Sequence, residues 1–249
     1  MISWTVTILT GAIGSIIGAI LLNWAQQYLA FRYLRLLFNL GPGELIFVVP
    51  HRSRNANSIM PRVAVENVLA INNILSILRK LGWKNPVRIK DAAHLERDNQ
   101  KSNIITLGGS IVNPFTAQVF AQLPAKERLQ FEPDPVNHSR RILRRGLDTI
   151  YVSGSYDVAD DAGPEIERTD VAVFVKLRNP SNPDTIIIAI AGIRGIGTWG
   201  ATDCIRKYAK EIFKRKQKKK TGDFLMAVAI NYKNYDIVSS EVKDFIDLP

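Results

Sequence analysis

The sequence predicts an α/β protein in which an N-terminal single transmembrane helix precedes a Rossmann-like mixed sheet with helices on both faces. Three observations carry that expectation. Residues 2–22 form an uncharged, mostly apolar stretch. From residue 41 onward, short apolar runs alternate with segments of helical periodicity. Glycine-rich turns follow two of those runs, at Gly108-Gly109 and Gly195-Ile196-Gly197. The chain is therefore expected to divide into an anchor with its juxtamembrane helix, 1–40, and a cytoplasmic α/β domain, 41–249.

The anchor is taken first. Trp4 and Trp24 bracket the apolar stretch, a helical span of about 30 Å that matches a bilayer's hydrocarbon thickness. Tryptophan favours the two membrane–water boundaries. No Lys or Arg precedes the stretch, whereas Arg32 and Arg35 follow it, so the positive-inside rule places the domain in the cytoplasm at the inner membrane. The exit Leu21-Leu22-Asn23-Trp24-Ala25-Gln26 offers no clean signal-peptide cleavage site. Gly14 and Gly18 lie one turn apart, a spacing that suits a homodimer through close helix packing. Residues 24–40, with their aromatic and arginine side chains, fit the headgroup layer.

The domain's elements follow in order. Leu45 to Val49 is a continuous apolar run ended by Pro50, as in a strand buried on both faces. Pro61 opens a helix with an apolar stripe of Val65, Val68, Leu69, Ile71, Leu75, Leu78 and Leu81, and Gly82 closes it. Strands are expected at 87–91 and 104–107, a helix at 115–123, and irregular chain over 124–146. A strand at 147–152 comes next. The turn formers between Asn179 and Asp184 make 171–177 and 185–191 a hairpin. A long helix to about residue 220 and a last strand at 224–230 complete the pattern.

Composition narrows the partners. The single cysteine, Cys204, excludes an internal disulfide and reads as a small buried apolar residue. The net charge is +10, with clusters at Arg140, Arg141, Arg144, Arg145 and at Lys214, Arg215, Lys216, Lys218, Lys219, Lys220. Beside an anchor these suit anionic lipid headgroups. Nucleic acid ranks lower, because no aromatic residues interleave with the clusters. The three histidines show no metal-ligand spacing. Asp157, Asp160, Asp161, Glu165, Glu167 and Asp170 read as a solvated acidic loop.

Ligands of such sheets lie beyond the carboxyl ends of the strands. After the first strand, His51, Arg52 and Arg54 supply cationic donors for a phosphate or carboxylate. After the third, Gly108, Gly109, Ser110 and Asn113 lead into a helix start that suits an anion. Ser110 lacks the G-x-S-x-G setting of a hydrolase nucleophile. Arg194, Gly195, Gly197 and Thr198 belong to a G-x-G-x-x-G turn that reads as approaching a phosphate. No ribose-holding acid ends the strand after it, which disfavours a nicotinamide site. Asp91 ends the second strand where such sheets hold a ribose hydroxyl.

The strand–Gly108-Gly109-Ser110-x-x-Asn113 turn and the segment Ala191 to Thr198 resemble, in outline, Rossmann-like nucleotide-recognition domains that prokaryotes attach to membrane helices in signalling and defence proteins. The resemblance covers these motif positions. It implies a sensor of a nucleotide-like or other anionic small ligand, or an enzyme that breaks nucleotide glycosidic bonds, and it assigns no catalytic residue. In an enzyme of this kind Asp91 or Glu96 would be the general base. The third expectation is a non-catalytic module in which the basic helix holds lipid or a protein partner.

Overall fold

The computed structural model describes residues 2–50, 63–96, 98–137, 141–154, 165–216 and 222–249. Helix α1 (Ile2–Phe38) leads into strand β1 (Leu45–Val49), which is buried along its whole length. Helix α2 (Val65–Lys80), β2 (Val87–Asp91) and β3 (Asn103–Leu107) follow. Asn113 then caps α3 (Pro114–Ala121), its Oδ1 accepting from the amides of Phe115 and Thr116. Three short strands come next, β4 (Leu129–Pro133), β5 (Arg141–Arg145) and β6 (Thr149–Val152). The chain finishes with β7 (Arg168–Arg178), β8 (Ile186–Gly192), α4 (Gly195–Lys216), β9 (Phe224–Lys233) and β10 (Asp236–Asp247).

Seven strands form one mixed sheet in the order β10-β9-β7-β8-β3-β1-β2, and β4-β5-β6 form a small antiparallel one. Strands β2, β1, β3 and β8 run parallel, whereas β7 runs against both β8 and β9. From β1 the chain passes through α2 to β2 on one side, then returns to β3 on the other. The connections therefore diverge between β1 and β3, the kind of switch point where open α/β sheets leave a crevice. Successive side chains of a strand face opposite ways. Leu45, Phe47 and Val49 accordingly pack with α1, α2 and α4, and Ile46 and Val48 with α3 and the small sheet.

The expected mixed sheet with helices on both faces is present, but the membrane part of the reading is corrected. Among the described residues, no helix is long and apolar enough to cross a membrane. Helix α1 is continuous from Ile2 to Phe38, and its last turns are a domain element. Leu34, Leu37 and Phe38 are buried in the core against the sheet, and the Lys176 Nζ donates to the Leu37 carbonyl at 2.8 Å. The last turns of the expected juxtamembrane segment thus belong to the core of the α/β domain. The apolar run misled because it passes without a break into a helix whose end packs on the sheet. Upstream, Ile16, Ile17, Ile20, Leu21, Leu22 and Trp24 are exposed.

Three further differences have local causes. The described part of α2 starts at Val65 after Ala64, which contributes no side-chain cap, and Pro61 lies outside the described residues. Its buried stripe is Asn67, Ala70, Ile71, Ile74, Ile77 and Leu78, whereas Val65 and Val68 are exposed. Those two outward valines rotated the phase of the expected stripe. The stretch expected to be irregular contains β4 and β5, joined by the antiparallel register that sets Phe131 opposite Leu143. Strand β10 carries mostly polar residues as a sheet edge, and its Phe245 stacks on Phe224 at 5.1 Å between ring centroids. Cys204 is buried, as expected.

Candidate functional site

Beyond the carboxyl ends of β1, β3 and β8 lies a cleft of about 480 Å³. Pro50 after β1, Gly108 and Gly109 after β3, and Gly192 to Gly195 after β8 line one side of it. The first turn of α2 adds Ala64, Glu66 and Asn67, and the small sheet adds Phe131 and Arg141. The small sheet reaches this place through its aromatic core. Phe131 stacks on Phe120 of α3, with ring centroids 6.2 Å apart. A β-carbon on Gly109 would sit 3.5 Å from the Phe131 ring, so the turn lies flat against that ring.

Gly108 has φ +87° and its amide donates to the Ile190 carbonyl at 2.9 Å, tying the turn to β8. Only glycine adopts that backbone without strain. Asn113 is fully buried, and its Nδ2 donates to Thr106 Oγ1 at 2.9 Å and to the Leu107 carbonyl at 2.8 Å. Its amide and carbonyl are thus both engaged inside the fold, and it shapes the turn without lining the cleft. Ser110 lines a separate groove with residues of α3 and β4.

The turn after β8 is built around a buried acid. Asp170, expected in a solvated loop, is fully buried at the start of β7. Its Oδ2 accepts from the amides of Arg194 at 3.0 Å and Gly197 at 2.9 Å, and its Oδ1 from its neighbour Val171 at 2.9 Å. Burial pushes its carboxyl up to about 6 despite those donors. The solvated-loop expectation failed because acidic residues beside one another in sequence were read together, although Asp170 already belongs to an apolar strand. Thr198 Oγ1 accepts from the Gly192 amide at 2.9 Å and is itself buried. Gly197 has no room for a β-carbon against the Asp170 carboxylate, and Gly200 none against Ile230 of β9.

Of the residues singled out from sequence, Gly108, Gly109, Arg194, Gly195 and Thr198 meet at the cleft. Gly197 stands behind them on Asp170. Asp91 lies elsewhere, at the end of β2, its carboxylate accepting from the Ala93 amide at 2.8 Å and capping a short 3-10 turn. His51, Arg52 and Arg54 lie outside the described residues. Glu96 is not in the lining. Among the described residues there is no group of acidic, His or Cys side chains able to hold a metal ion.

Sequence reasoning missed Glu66, Asn67, Phe131 and Arg141. Arg141 was grouped with a lipid-facing cluster; Arg140 of that cluster lies outside the described residues, and the three described members have separate surroundings. Arg144 pairs with Glu132, and Arg145 pairs with Glu127 at 2.9 Å and Asp244 at 2.8 Å. A second cavity, of about 620 Å³, borders Arg145 on the small sheet. Those two carboxylates balance Arg145 itself, and Lys126, Arg128 and Asp148 also line this cavity. Tyr151 beside it donates to Asp244, and burial together with that carboxylate pushes its hydroxyl up to about 12.

The cleft at the end of the parallel sheet is therefore lined by Arg141, Arg194, Glu66 and Asn67 together with glycine turns. Guanidinium groups and close backbone approach suit an oxyanion. Compared with known proteins, the chain matches no family model, no curated protein and no solved structure.

Proposed function

We propose that this chain binds an anionic small molecule in the cleft between the turns after β3 and β8. The observation that carries this reading is the convergence of Arg141 and Arg194 on the Gly108-Gly109 turn at the sheet's switch point. Each feature has an ordinary explanation alone: an arginine can be a solvated surface group, and a glycine turn can simply be tight. Together they place positive charge over backbone that a ligand can approach closely, where such sheets take their ligands. Asp91 and Glu96, the general bases of the enzyme reading, are not in the lining of this cleft among the described residues.

The test is a melting experiment on the full chain with a panel of nucleotides, sugar phosphates and dicarboxylates. A ligand of the cleft raises Tm, and the rise disappears in an Arg141→Ala, Arg194→Ala double variant. An unchanged Tm across the whole panel refutes the reading. So does a Tm rise that the double variant retains.

A further inference from the structure

We propose that helix α1 carries a docking stripe for a second copy of this chain, so that the protein pairs through its N-terminal helix. This inference is independent of the reading of the cleft. At 3.6 residues per turn, Ile16, Ile17, Ile20, Leu21, Trp24 and Tyr28 share one side of α1. Each is more than half exposed, from 52% at Ile17 to 65% at Trp24. A single exposed apolar side chain is ordinary on a protein surface. Six on one side of one helix form a contiguous patch of several hundred Å², which monomers seldom leave uncovered. Trp24 and Tyr28 flatten part of it, their rings stacked with centroids 5.8 Å apart.

Spacing names the occupant. Ile17, Leu21, Trp24 and Tyr28 follow one another at intervals of four, three and four residues, the alternation that keeps a seam turned toward a second helix. Ile16 and Ile20 flank that seam. Another copy of the chain supplies the same seam, as a two-fold interface requires. The area agrees, because a stable interface buries about 800 Å² per partner and six side chains of this size and exposure offer an area of that order. A lipid surface fits less well. Amphipathic helices that lie among headgroups carry Lys and Arg on their polar side, whereas residues 15–25 contain neither. Among the described residues, no helix is long and apolar enough to cross a membrane. Leu22 and Leu29 lie on the opposite side of α1, seven residues apart. Leu22 is as exposed as Leu21, at 61% against 60%, which makes the two neighbours a matched pair for testing the stripe.

The experiment is light scattering of the full chain in detergent-free buffer, with vesicle flotation beside it. The expected mass is twice 27.9 kDa. Leu21→Glu should halve that mass, whereas Leu22→Glu should leave it at the dimer value. Trp24→Glu is the second seam variant, with the same expected halving. Far-UV circular dichroism should match the parent in all three, since each side chain stands clear of the core. A monomeric parent chain overturns the inference. So does a dimer that neither seam variant splits, or one that Leu22→Glu splits as fully as Leu21→Glu. A parent chain that floats with neutral phosphatidylcholine vesicles and is monomeric without them assigns the stripe to lipid and overturns the inference as well.

Discussion

The turn after β3 and the turn after β8 face each other across one cleft, yet their backbone amides go to different places. After β3, Val112 and Asn113 donate back to the Gly109 carbonyl, and Gly109 itself lies open beside the Phe131 ring. After β8, Arg194 and Gly197 donate to Asp170, an acceptor the chain brings from another strand. A glycine-rich turn at a strand end thus has two physical uses. It can approach a ligand, or it can close over a carboxylate of its own. The difference is set by what the neighbouring strand supplies, and β7 supplies an acid.

The comparison breaks most sharply at Gly197. A β-carbon there would overlap the Asp170 carboxylate, so Gly197→Ala should destabilise the fold by about 3 kcal/mol in urea unfolding, a typical cost of overpacking. An unchanged midpoint would mean that the turn is not held by the acid. Asp170 offers the next largest effect. With the folded group at about 6 and an ordinary value of 3.8, the native state holds a proton that the unfolded chain has released. Its contribution is therefore complete below about pH 4 and lost as pH rises through 6, by roughly 2–3 kcal/mol. Asp170→Asn should flatten that fall, which unfolding measured across pH 4 to 7 would reveal.

The open turn and its surroundings respond more gently. Asn67→Leu replaces a carboxamide at the cleft wall, 4% exposed, with an apolar side chain of similar size and should shift stability by no more than about 1 kcal/mol, read as the midpoint of the same urea titration. A larger fall in the midpoint would show that the amide is satisfied within the fold. Gly109→Ala should be nearly silent, within about 0.5 kcal/mol, because its β-carbon would meet Phe131 at an ordinary 3.5 Å. That methyl narrows the cleft, so a nucleotide melt should show a smaller Tm rise in this variant than in the parent.

Much of the sheet could be read from the letters. Strands buried on both faces, such as β1, β3 and β8, announce themselves as unbroken apolar runs. Strands β4, β5 and β10 carry arginines, acids and serines on a solvent face, and their alternation is too weak to separate from loop. The cleft was half legible. Its glycine turns stand at strand ends, where topology alone directs attention. Glu66, Asn67 and Arg141 come from elements distant in sequence, joined only by packing. One signal was present in principle: Asn67 stands three residues before Ala70 and four before Ile71, on the buried stripe of α2. A lone amide on an apolar stripe marks a buried polar group, but the two exposed valines hid the phase.

Strand β7 joins two distant contacts. At one end its Asp170 grips the turn beside the cleft, and six residues on, Lys176 fastens the end of α1 through the Leu37 carbonyl. An even separation puts both side chains on the same face of the sheet, about 20 Å apart along a stiff rod. A single strand therefore holds both the end of the long N-terminal helix and the turn at the mouth of the cavity, so a substitution that displaces β7 disturbs both attachments at once.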